Sequence, residues 1–160
     1  MAYWIETGIS AKLAIMPKPN GGKLLEDEIR LLKREGADVL VSLLTPAEEF
    51  DLGLEHERAA CSGHGIRFRS FPIPDRDVPA STADFLKFID TLHYDLLQGR
   101  SIVAHCRAGI GRSSLVLAAL LRREGLSTDD AFRRITQARN ALVPDTPAQL
   151  RWVESLPLEI

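Results

Sequence analysis

Apolar positions along the chain gather into short runs that alternate with stretches of helical spacing. Tyr3-Trp4-Ile5 and Leu13-Ala14-Ile15-Met16 flank a turn at Gly8, which predicts a hairpin or two short strands. Pro17 to Gly22 is a loop. Leu25, Ile29 and Leu32 then recur at helical spacing, with Gly36 as a stop. Val39-Leu40-Val41-Ser42-Leu43-Leu44 reads as a buried strand. Thr45, Pro46 and Glu48 are a helix start, and a second short helix is expected from Glu55 to Ser62. Ile66 to Phe71 alternates and predicts a strand, followed by a proline-stiffened loop from Pro72 to Ala80.

Ser81 with Asp84 caps a long helix whose apolar face is Phe85, Phe88, Ile89, Leu92 and Leu96. Ile102-Val103-Ala104 is a short apolar strand, expected at the centre of the sheet. Leu115 to Leu121 is apolar nearly all round, as a buried central helix would be. Ser127 with Asp130 caps a further helix, and Thr146, Pro147 and Gln149 begin the last. Strands alternating with about five helices predict an α/β fold with a mainly parallel central sheet flanked by helices.

Composition narrows the possibilities. At 160 residues, the chain is expected to be a single domain over residues 1–160. A formal net charge of −2 argues against a nucleic-acid binder. Two cysteines cannot make a disulfide scaffold, and the histidines show no metal spacing. The first ten residues lack a signal-peptide pattern, and no apolar run reaches the ~20 residues of a membrane span. A cytoplasmic location is the expectation.

The chemistry concentrates in Ile102-Val103-Ala104-His105-Cys106-Arg107-Ala108-Gly109-Ile110-Gly111-Arg112-Ser113-Ser114, which joins a buried strand to a buried helix. Ligands of such folds bind beyond the carboxyl ends of the strands, where unpaired amides of helix N-termini attract anions. Gly109 and Gly111 let the backbone curl until successive N–H groups face one centre, across Arg107, Ala108, Gly109, Ile110 and Gly111. Arg112 offers a planar fork for two phosphate oxygens. The same field lowers a thiol, so Cys106 is expected to be a thiolate nucleophile beneath a bound dianion.

His105-Cys106, five residues, then Arg112-Ser113 resembles the signature of the protein tyrosine phosphatase superfamily. The short chain is similar to its compact dual-specificity phosphatase branch. An early Leu-Ala-Ile-Met-Pro, a Phe-Pro-Ile-Pro-Asp loop and a late Thr-Pro-x-Gln make the whole similar to the cyclin-dependent kinase inhibitor 3 group. The resemblance implies hydrolysis of phosphotyrosine, and of phosphoserine or phosphothreonine, in proteins through a phosphocysteine intermediate. It implies no cofactor and no metal, a phosphorylated protein partner, an oxyanion in the loop, and a monomer with neither nucleic-acid nor membrane-spanning partner.

The resemblance also assigns roles. Asp75 follows the Pro-Ile-Pro run and matches the general acid, with Asp77 as its rival. Ser113 matches a hydroxyl that supports the departing thiolate, and His105 the histidine of the thiolate network. Gln149 matches a glutamine that positions the hydrolytic water, and equally fits a capping box with Thr146. Arg107 and Arg76 are candidates for the pocket mouth. A lipid phosphatase on this scaffold is the nearest rival, weakened by Ile110 where such enzymes carry a second basic residue. A catalytically silent phosphate-binding adaptor and a sulfurtransferase or arsenate reductase stand further off, given the cysteine and the acidic loop together.

Overall fold

Period-two alternation in three buried strands decides the layering. The computed structural model describes residues 1–158. Strands β1 (Tyr3–Trp4), β2 (Leu13–Met16), β3 (Val39–Ser42), β4 (Arg67–Ser70) and β5 (Ile102–His105) form one sheet in the order β1-β2-β5-β3-β4. Only the β1–β2 pair is antiparallel. Leu13, Ile102 and Val39 stand in register across the three central strands, as do Ala14, Val103 and Leu40. The first trio joins one apolar cluster and the second trio joins another on the opposite face. Both faces are therefore covered, as a parallel sheet requires.

Seven α-helices supply the cover among the described residues: α1 (Leu25–Glu35), α2 (Pro46–Asp51), α3 (Glu57–Gly63), α4 (Thr82–Leu97), α5 (Arg112–Arg123), α6 (Thr128–Arg139) and α7 (Pro147–Glu154). Residues of α1 and α3 pack on the face of Ala14, Leu40 and Val103, with Cys61 among them. Residues of α4, α5, α6 and α7 pack on the other face. Every residue from Leu115 to Leu121 is buried, because α5 is enclosed by the sheet and by α4, α6 and α7.

The caps follow the expected chemistry. Thr45 and Glu48 form both bonds of a capping box, as do Thr146 and Gln149, and the Ser81 and Ser127 hydroxyls accept from the third residue onward. Gly36 closes α1 with φ of 108°, a left-handed conformation that suits glycine. Some boundaries are shorter than the sequence suggests. β3 stops at Ser42, since Leu43 and Leu44 lead into the turn that α2 begins. α3 starts at Glu57 rather than Glu55.

β5 is central, so its carboxyl end opens onto the middle of the sheet's functional edge. Phe71 packs against Phe85 and Phe88 of α4, with ring centroids 5.7 and 5.0 Å away, and Phe85 in turn meets Trp152 of α7 at 4.8 Å. This aromatic stack seats the start of the acidic loop beside that edge.

Candidate active site

Cys106 follows β5 directly and lies in the α5 layer of the core, 2% exposed. Its Sγ is 3.3 Å from Ser113 Oγ in the first turn of α5. Burial would raise the thiol. The Ser113 hydroxyl, the backbone N–H groups of Ser113 and Ile110, and the Arg112 charge outweigh it, and the thiol lies below its ordinary range. That combination favours a thiolate able to attack phosphorus.

The loop holds its curl because its glycines have no room for a side chain. Gly109 has φ of 71°, and a Cβ there would sit 2.5 Å from the backbone of Met16 and Pro17. At Gly111 a Cβ would meet Asp145 Cβ at 2.9 Å and the Gln149 amide at 3.1 Å. From outside, Arg139 donates to the carbonyls of Gly109 and Ala108 at 3.1 Å each, while its guanidinium stacks on Tyr3. Those two carbonyls are turned outward and fastened. Arg139 was not visible in the sequence as part of this site.

Arg112 is fully buried and lies at the base of the acidic loop. Its Nη1 donates to Glu48 Oε1 at 2.6 Å and to the Ile73 carbonyl at 2.7 Å. Its Nη2 donates to Glu48 Oε2 at 2.9 Å and to Asp75 Oδ1 at 3.1 Å. The planar fork is thus gripped by Glu48, which the sequence showed only as a helix cap. Nε–H makes no hydrogen bond among the described residues, so it is the donor left free for an oxyanion, and Nη2 can join it only when Asp75 lets go. The Arg112 hydrogen bond holds the Glu48 carboxyl below its usual range against the opposing effect of burial.

The two aspartates differ in placement. Asp75 touches Arg112 and is 57% exposed, whereas the Asp77 carboxylate accepts from the Val78 N–H within its own turn. The loop is fastened to the approach of α7. Arg76 pairs with Asp145 at 2.9 Å, and Gln149 Nε2 donates to the Asp77 carbonyl at 3.1 Å. Gln149 Oε1 accepts from the N–H groups of Asp145 and Thr146. Gln149 is therefore both the cap and a strap across the loop, beside Gly111. Arg107 is exposed at the rim, 3.9 Å from Glu48, and Arg76 is engaged by Asp145.

His105 and Cys106 point into opposite layers, as neighbours on a strand must. His105 lies under α3, where its Nε2 is 2.5 Å from Glu57 Oε2. Its Nδ1 is 3.1 Å from the Cys106 carbonyl, which can only accept, so Nδ1 carries a proton. Burial would lower His105, but the charge and hydrogen bond of Glu57 more than offset it, and its pKa is raised. Glu57 was also missed in the sequence, where it is one of several polar residues at a short helix start.

Comparison with known proteins places the chain in a family. The family model described as the polymorphic toxin system DSP-PTPase phosphatase matches residues 14–126, from β2 through the turn after α5. The chain belongs to this family. Curated relatives include human dual specificity protein phosphatase 2, 31% identical over 91 residues, which are 54% of this chain and 29% of that protein. The putative tyrosine phosphatase 197R of Invertebrate iridescent virus 6 is 28% identical over 85% of this chain and 49% of its own length. Mouse dual specificity protein phosphatase 22 is 29% identical over 62% of this chain and 54% of its own. The chain thus spans less than two thirds of these relatives.

Solved structures share the fold over nearly the whole chain. Kinase associated phosphatase, in a form with its catalytic-site cysteine replaced by serine, superposes with a TM-score of 0.85 at 20% identity, covering 96% of this chain and 91% of that one. Tk-PTP in its active form gives 0.76 at 24% identity, covering 99% and 98%.

Proposed function

We propose that the chain is a cysteine-dependent phosphatase that hydrolyses phosphotyrosine, and also phosphoserine or phosphothreonine, in protein substrates. The observation that carries this reading is the convergence on Cys106. A buried thiol held low by backbone N–H groups sits in a glycine-shaped loop that ends at a clamped arginine.

In the first step Cys106 Sγ forms a bond to phosphorus as the P–O bond to the leaving group breaks. The leaving oxygen takes its proton from Asp75, and Arg112 with the loop amides holds the three remaining oxygens. In the second step water attacks phosphorus, the P–S bond breaks, and the water's proton passes to Asp75. The hydroxyl of Ser113 stabilises the thiolate that departs. Contact between Asp75 and Arg112 supports Asp75 over Asp77 as the acid, because it places that carboxyl beside the donor for phosphate. Gln149 serves first to fasten the loop, with water positioning available where the loop opens. Residues 1–160 act as one domain, a monomer, in the reducing cytoplasm, where Cys106 stays a free thiol.

The test is an assay of the purified protein on phosphopeptides carrying each phosphoamino acid, with phosphoinositides alongside. Turnover of phosphotyrosine peptides that is insensitive to a metal chelator supports the proposal. Turnover of phosphoinositides alone would replace it with the lipid reading, and no turnover of any would refute it.

A further inference from the structure

Glu57 is buried to 1% exposure, bonds His105 through one oxygen, and has its other oxygen, Oε1, without a hydrogen-bond partner among the described residues. A carboxylate kept only for stability would have both oxygens satisfied, because a buried charge with an orphaned lone pair gains little over an apolar side chain. Glu57 lines a cavity of about 200 Å³ shared with Glu49, Leu54, Arg58, Phe68 and Ser70. It does not touch the candidate pocket. Its reach into the site runs wholly through His105, across the sheet from the α3 layer to the α5 layer.

We propose that Glu57 is a positioning residue for Cys106: it holds His105 as an imidazolium whose Nδ1–H is fixed on the Cys106 carbonyl, which keeps a positive charge behind the nucleophile. The inference rests on Cys106 being the nucleophile. The 2.5 Å contact between these two fully buried titratable groups is shorter than even a charge-assisted N–H···O bond, about 2.7–2.9 Å, so the imidazole and the carboxylate are held tightly together. The neighbouring groups respond as an oriented pair requires. Glu49 of α2 and Cys61 of α3 are both raised, first by burial and then by the negative charge of Glu57, with Arg58 of α3 opposing. Across the sheet, the charge of Cys106 favours the charged form of the His105 imidazole, and Arg112 of α5 adds to the field on Cys106. The negative end of the pair therefore faces the inert cysteine, and the positive end faces the reactive one.

The test reads the thiol without substrate. In a Cys61→Ala background, the rate of iodoacetamide alkylation of Cys106 is followed against pH. Glu57→Gln should move the midpoint upward by about one pH unit, a tenfold smaller thiolate fraction below it, and Glu57→Asp should recover part of the shift. A midpoint unchanged in folded Glu57→Gln would overturn the proposal. Should Glu57→Gln not fold, ¹⁵N chemical shifts of His105 in the unsubstituted protein decide. Both ring nitrogens protonated at pH 7 supports the pair, and a neutral ring there overturns it. A protein with no phosphatase activity but a Glu57-dependent thiolate would refute the proposed function and leave this inference standing.

Discussion

The chain has two cysteines, both free and both buried, one on each side of the sheet. Burial alone would make both inert. Cys61, packed among Leu32, Ala37, Ala60 and Ile66 with the Glu57 carboxylate nearby, is pushed up to about 12. Cys106, equally enclosed, lies below its ordinary range, because the wall around it is made of N–H groups, a hydroxyl and a guanidinium. The difference shows that directed donors, rather than exposure, separate a lowered thiol from a raised one in this molecule.

The comparison breaks most sharply by substitution. Cys106→Ser should reduce phosphotyrosine turnover to background, a loss on the order of 10⁶-fold where an assay can follow it, while Cys61→Ser should retain turnover. Equal losses in both variants would end the distinction. Alkylation should divide the thiols next. At pH 7 a thiol near 12 is ionised to roughly one part in 10⁵, so peptide mapping should find Cys106 modified at least ~10³ times faster than Cys61 in the folded protein. The rate at Cys106 rises with pH through its lowered pKa, so it should level off at a lower pH than an ordinary thiol would.

The proposed acid sharpens the contrast, since Asp75 sits on Arg112, the arginine beside Cys106. Asp75→Asn should lower kcat on phosphotyrosine by roughly 10² and remove the basic limb of the pH–rate profile, with a much smaller loss on an activated aryl ester. Asp77→Asn should cost far less, and the reverse order would move the assignment to Asp77. The smallest effect belongs to Cys61→Ala. Its cavity should cost about 1–2 kcal/mol, or a few degrees in Tm, with kcat within twofold of the parent.

Much of this was legible because it is local. The Thr45–Glu48 and Thr146–Gln149 boxes, the Gly36 stop, the all-apolar α5 and the glycine loop each announce themselves within a few residues. The partners that complete the site do not. Glu48 lies 64 positions from Arg112 and Glu57 lies 48 from His105, so no periodicity links them. Asp95 shows the same limit away from the site. The pattern of α4 put Leu96 on the buried face, yet Leu96 is half-buried and Asp95 fully so, because Arg69 and Arg100 converge on its carboxylate. Opposite charges distant in sequence can bury a position that local polarity marks as solvent-facing.

The fit of Gly109 against Met16 and Pro17 bears on how portable the signature loop is. A methyl there would strike main-chain atoms at 2.5 Å, and main chain cannot rotate aside as a side-chain tip can. The Arg107 carbonyl, accepting from the Lys18 N–H at 3.1 Å, stitches the same two segments a second time. A graft of residues 105–113 onto another strand–helix joint would carry the letters of the loop without its mould. The transferable unit is the loop together with the exit of β2, two pieces about ninety residues apart that fit together as one part.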